Sequence, residues 1–221
     1  MSRRELKTKA KELLKGNVWK VFGFIFVAAL IAEVITNLPT WLGFETTKEV
    51  SKTMFGTAIT VTKSTTFGSC WTFICYIIGL TLNVAVCNYL LKFIRNENPT
   101  FKDSFMILKD KAAVIIPLQI LVVLFIALGY ICLIIPGIIL TFALVLCNFI
   151  VVDEDLKPME IIKKSCEMMK GHKFDYFVLG LSFIGWALLC VFIIPMIYVI
   201  PYVDVTFALF YENLKNANKE M

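Results

Sequence analysis

Apolar residues in this chain come in long blocks, and charged residues collect in short segments between them. From Ala112 to Val152 no Asp, Glu, Lys or Arg occurs over 41 residues. That is about twice what one helix needs to cross a bilayer. Other apolar blocks run over 18–42, 69–94 and 174–213. A β-barrel would show shorter segments of alternating polarity, and none is evident. The pattern predicts an all-α polytopic membrane bundle of six spans, near 18–42, 69–94, 112–134, 136–152, 174–194 and 196–213. The third and fourth come from splitting the long run at Pro136-Gly137. A single helix of that length would be roughly 60 Å long against a hydrocarbon core of about 30 Å, so a hairpin is expected there. Pro136 then opens the fourth helix, where its missing donor costs nothing. The fifth and sixth come from a similar split at Pro195, with Pro201 as a second helix break.

Three short segments precede spans one, three and five: "AKELLKGNVW" (10–19), "SFMILKDKAA" (104–113) and "SCEMMKGHKF" (165–174). Apolar residues around them recur at steps of three and four. Leu6, Ala10, Leu13 and Leu14 make one stripe; Phe101, Phe105 and Leu108 a second; Met159, Ile162, Cys166 and Met169 a third. Each predicts a short amphipathic helix. Pro99 and Pro158 suit helix starts, and Gly16 and Gly171 suit the turns that end them; Asp110 fits such a turn less well. The chain therefore reads as one integral membrane domain over 1–221. It is built of three tandem units (1–95, 96–152, 153–215), each an elbow helix, a span out and a span back. The alternative is that the elbows are ordinary loop helices packed on the bundle. An echo, "TFAL" at 141–144 and again at 206–209, falls in the fourth and sixth spans. The outer loop, 43–68, is Thr-rich, and "TAITVT" alternates like a short strand, so either a small hairpin cap or a flexible loop fits.

Charge sets the expected orientation. With both termini inside, 19 of the 22 Lys and Arg lie in inner segments and only Lys48, Lys52 and Lys63 lie outside. That asymmetry follows the positive-inside rule. The first apolar stretch is too long for a signal peptide and lacks a cleavage site, so it reads as a retained anchor. Positive charge beside the elbow stripes predicts contacts with anionic lipid headgroups. The residues expected to make them are Arg3, Arg4, Lys7, Lys11, Lys15, Lys109, Lys163, Lys164, Lys170 and His172. Nothing in this distribution suggests nucleic acid as a partner; a membrane-protein partner or a second copy of the chain remains open.

Composition (58% apolar, mean hydropathy +0.77) agrees with the membrane class. The seven cysteines form no C-x-x-C pair and mostly sit in apolar runs, so they read as packing residues, with no disulfide framework and no metal site. No catalytic motif, cofactor fingerprint or P-loop occurs, and His172 is the only histidine. An enzyme is not expected.

Ionisable groups inside spans are the sharper signal, because they are costly there. Glu33 lies about 24 Å along the first span, near its outer boundary. Asp204 lies near the middle of the sixth, with no Lys or Arg deep enough to pair with it. It is therefore expected to be protonated, hydrogen-bonded, hydrated or bound to a cation. Its roles divide between capping a broken helix, carrying a proton or cation, and touching a substrate. With Asn83 and Asn88 these two acids form the candidate intramembrane polar site; Gln119 and Asn148 add further polar groups.

The segments "RRELKTKAKELLKGNVWKVFGFI", "IIPGIILTFALVLCNFIVVDEDLKPMEIIKKSCEMMKGHKFDYFVLGLSFIGW" and "TFALFYENLK" resemble a bacterial, mainly Gram-positive family of multispan membrane proteins of unknown function (YciC-like, DUF975-type). The resemblance covers most of the chain and is weakest in the outer loop. It implies a cytoplasmic membrane protein and brings no catalytic residues. Three functions follow as expectations: a non-enzymatic module that interacts with lipid or assists a partner complex; a small transporter, channel or exporter component using a midplane acid; and self-protection against a membrane-active peptide.

Overall fold

The computed structural model describes residues 2–44, 47–54, 57–97, 99–190 and 193–219. Eleven helices and one two-stranded ribbon occur among them. A short helix, α1 (Arg3–Leu14), opens with a capping box in which the Ser2 hydroxyl accepts from the Glu5 amide and Glu5 accepts from the Ser2 amide. Those two bonds hold the Glu5 carboxyl below its ordinary pKa. Gly16, at φ +85°, turns the chain into α2 (Val18–Trp41). Strands β1 (Thr47–Met54) and β2 (Thr57–Ser64) pair antiparallel, with Val50 opposite Val61, so the hairpin alternative holds in the outer loop. Then follow α3 (Thr66–Ile94), α4 (Phe101–Asp110), α5 (Ala112–Cys132), α6 (Ile134–Leu144), α7 (Cys147–Asp153), α8 (Pro158–Met168), α9 (Lys173–Leu181), α10 (Ile184–Leu189) and α11 (Ile193–Lys219).

Among the described residues, four segments are long and apolar enough to cross a membrane: α2, α3, α5 and the α6–α7 pair. Their outer faces are greasy. The tip between α5 and α6 carries Ile131, Leu133, Ile134 and Ile135, each 68–80% exposed. Each would forgo roughly 1.5–3 kcal/mol if that surface faced water. A cluster of such residues on a helix hairpin belongs in a bilayer.

The predicted turn exists but lies earlier than Pro136-Gly137. One extended residue, Leu133 (φ −168°), separates α5 from α6. Pro136 is the third residue of α6, where a proline's missing N–H would have been unpaired in any case. Gly137 serves packing rather than the turn. A Cβ there would lie 2.7 Å from Cγ and Cδ1 of Tyr130, and a Cβ on Gly129 would lie 3.1 Å from the Gly137 Cα. The two helices touch backbone to backbone at this pair.

Two expectations about the last unit are corrected. Helix α11 begins before Pro195 and continues through Pro201 to Lys219, so neither proline breaks it. Pro195 falls in the first turn, and packing of the buried Val199 and Tyr202 holds the helix across Pro201. The break falls instead in the predicted fifth span, at Ser182-Phe183 between α9 and α10, with α10 ending at Leu189.

The contacts close in a ring. Helix α4 packs on α3, α8 packs on α5, α6 and α7, and α1 packs back on α11. The second helices of the units, α3, α7 and α11, form the inner layer. Phe24 stacks on Tyr89 at 4.3 Å, with Phe101 and Phe105 each 5.2 Å away, which ties α4 to α2 and α3.

Candidate functional site

The inner helices share a sequence feature that the "TFAL" echo only half reveals. Thr81, Thr141 and Thr206 each stand seven residues before Asn88, Asn148 and Asn213. Each threonine hydroxyl donates to the carbonyl four residues back, at 2.8, 2.9 and 2.7 Å. Such a bond satisfies the hydroxyl within its own helix, which suits an apolar setting. A second shared position lies on the short helices. Ala10, Ser104 and Ser165 begin the three elbow repeats, and all are fully buried. Ser165 Oγ donates to the Ala143 carbonyl at 2.7 Å, just where α6 ends. A small residue there lets each short helix approach its neighbour closely. The predicted stripe holds on α1, where Leu6, Ala10 and Leu14 are buried, and is rotated on α8, where the buried face is Ile161, Ile162, Ser165, Met168 and Met169 while Met159 is exposed.

Two cavities meet at Asp204. The larger, about 290 Å³, is lined among others by Asn83, Cys87, Gln119, Thr141, Asn148 and Tyr176. The smaller, about 180 Å³, lies between α2, α3 and α11 and is lined by Ala28, Ala29, Ala32 and Gly79. Asn83, Val86 and Asp204 line both. The amides form a chain of their own. Gln119 Nε2 donates to Asn148 Oδ1 at 2.9 Å, Asn148 Nδ2 donates to Asn83 Oδ1 at 3.1 Å, and the Cys87 thiol points at the same oxygen at 3.6 Å. Among the described residues, no hydrogen bond or ion pair reaches the Asp204 carboxylate. Counting from the shared threonines, the positions matching Asp204 are Gly79 and Ile139, so the acid breaks the threefold pattern once.

Of the four predicted polar-site residues, the structure brings Asp204 and Asn83 together. Glu33 is exposed on α2 and accepts from Asn37 Nδ2 at 2.7 Å, apart from the cavities. Asn88 Nδ2 faces the Asp103 and Ser104 carbonyls of α4, both at 3.5 Å. Gln119 and Asn148 line the cavity in place of these two.

At the charged end of the bundle an ion cluster ties the inner helices together. Arg95, which follows α3, contacts Asp153 of α7 at 2.9 Å and Glu212 of α11 at 2.7 Å. Asp153 also accepts from Tyr211 OH at 2.9 Å and pairs with Lys215. Lys111 donates to the Val151 carbonyl at 3.0 Å, and so caps the end of α7 with positive charge.

The predicted headgroup contacts divide into two sets. Arg3, Arg4, Lys15, Lys109, Lys163 and Lys170 are exposed. Lys164 pairs with Glu154 at 2.6 Å, and His172 lies 3.6 Å from Asp175. Two more lysines, the half-buried Lys7 and the exposed Lys11, contact aromatic rings. Lys7 Nζ donates to the Ser182 carbonyl, at the α9–α10 break, at 3.2 Å, and sits 4.3 Å from the centre of the Phe183 ring. Lys11 lies 5.7 Å over both Trp186 and Tyr202. Burial and the nearby Lys11 charge lower the pKa of Lys7.

A family model described as "Protein of unknown function (DUF975)" matches residues 116–218, a little under half of the chain. The match runs from α5 into α11 and leaves α1 to α4 outside it. No curated protein and no solved structure gives a match.

Proposed function

Taking residues 116–218 as a member of that family, we propose that this chain is a six-span, non-enzymatic protein of the bacterial cytoplasmic membrane. Both termini face the cytoplasm, and the protein handles a small solute in the cavity enclosed by its inner helices. The observation that carries the reading is Asp204: a carboxylate without a protein partner, set where two cavities meet and flanked by a chain of amides. Ionisable groups at such depth mark ion or substrate paths far more often than packing positions. The positive-inside pattern supports a cytoplasmic side for the Arg95–Asp153–Lys215 cluster.

The test is water access. Both cysteines are buried, but Cys87 lines the cavity and Cys147 does not. In variants that keep one cysteine each, methyl methanethiosulfonate is expected to modify Cys87 in folded protein and spare Cys147. Equal inertness of both would contradict a solute-accessible cavity.

A second reading, a lipid-interacting module, draws on a different observation. Exposed Lys109, Lys163 and Lys170 stand near exposed Phe101, Met106, Met159 and Phe174, an arrangement suited to the headgroup plane. Reversing these three lysines to Glu is expected to lower the anionic lipid that co-purifies with the protein. Unchanged lipid content would count against it.

A further inference from the structure

We propose that the Asp204 cavity is a site for a small organic monocation of the ammonium class. This rests on the reading that the cavity meets water, and it adds the chemistry of the occupant. Three observations point the same way.

The first is charge. Among the described residues, Asp204 is the only acid lining either cavity, and no Lys, Arg or His lines them. No amide of the chain is bonded to it: Gln119 Nε2 turns to Asn148 Oδ1 and the Leu80 carbonyl, and Asn148 Nδ2 to Asn83 Oδ1. A half-buried carboxylate with no protein counter-charge either takes up a proton or takes its counter-charge from a ligand, and one carboxylate balances one positive charge.

The second is size and donor set. Divalent and alkali-earth ions demand a close shell of several oxygens, and among the described residues no group of three His, Cys, Asp or Glu surrounds a point. A space of about 290 Å³ is at the lower edge of small-molecule pockets, much more than a bare ion fills.

The third is the wall. Tyr176 and Phe207 line the cavity with their rings 4.7 Å apart. Phe207 follows Asp204 by three residues and so shares its face of α11. Aromatic faces beside a carboxylate, with Leu80, Val122 and Ile126 beyond, suit a cation that carries carbon. An inorganic ion would gain little from that apolar lining.

The test uses purified full-length protein in detergent. Tetramethylammonium chloride is expected to raise the melting temperature saturably. Sodium chloride at equal ionic strength and tert-butanol, a neutral molecule of similar shape, are expected not to. Asp204→Asn is expected to weaken the effect at least tenfold. Should that variant fail to fold, Tyr176→Leu against Tyr176→Phe serves: the first loses the ring and is expected to lose most of the response, while the second keeps it. Equal shifts with sodium, or full response in Asp204→Asn or Tyr176→Leu, would overturn the ammonium assignment. Cys87 modification in the same preparation separates the two readings. A reactive Cys87 with no tetramethylammonium effect overturns the ligand class alone, and an inert Cys87 overturns both.

Discussion

Gly137→Ala is predicted to destabilise the protein, although alanine is the better helix former. Two effects oppose each other. Replacing a helical glycine with alanine gains about 1 kcal/mol from propensity. Against this, the new Cβ would lie 2.7 Å from two carbons of the Tyr130 ring, whereas carbon atoms rest at about 3.5–4.0 Å. The ring must turn outward or α5 and α6 must part by close to an ångström. The second route also separates Gly129 from Gly137, whose backbones are now in contact. A gap of that size forfeits a quarter to a half of the dispersion energy along the seam, and overpacking of this kind costs about 1–3 kcal/mol. The net expectation is a loss of up to about 2 kcal/mol, which is a fall in melting temperature of up to roughly 8 °C for a chain of this size. Thermal unfolding in detergent measures it. A melting temperature equal to or above that of the parent would show that the two helices are not in backbone contact, and would refute the hairpin packing.

Other perturbations probe other joints. Asp153→Asn removes the anion that Arg95 and Lys215 share in a nearly buried position; unfolding titrations are expected to show a loss of about 3 kcal/mol. Gly16→Ala and Gly171→Ala meet no neighbouring atom, yet both residues sit at left-handed φ of +85° and +86°. Each is expected to cost about 1–2 kcal/mol from backbone strain alone, with an asparagine substitution costing less. Lys7→Met keeps the apolar stem and loses the bond to the Ser182 carbonyl, so amide exchange across residues 178–186 is expected to speed up while α3 stays protected.

Much of the fold is readable in local pattern, because membrane spans and amphipathic helices are local matters of length and period. The hairpin at 132–134 and the three short helices fall close to where hydropathy and the proline and glycine signals point. The errors share one cause, which is tertiary contact. Proline breaks helices in water, yet Pro195 sits in a first turn and Pro201 is held by packed flanks. The true break, at Ser182-Phe183, has its free carbonyl satisfied by Lys7, 175 residues away in sequence. No local rule anticipates that. Glu33 and Asp204 look alike as intramembrane acids, but only three-dimensional placement sets one on an exposed face and the other at a cavity. The repeated Thr and Asn at seven-residue spacing was the one sequence signal able to mark the inner helices beforehand.

The most direct measurement of the central claim is the rate at which methyl methanethiosulfonate modifies Cys87, as the only cysteine, in the presence of rising tetramethylammonium. The account predicts slow modification that the cation suppresses when Asp204 is present and leaves unchanged in Asp204→Asn. A Cys87 that never reacts, or one whose rate ignores the cation in both backgrounds, would contradict it.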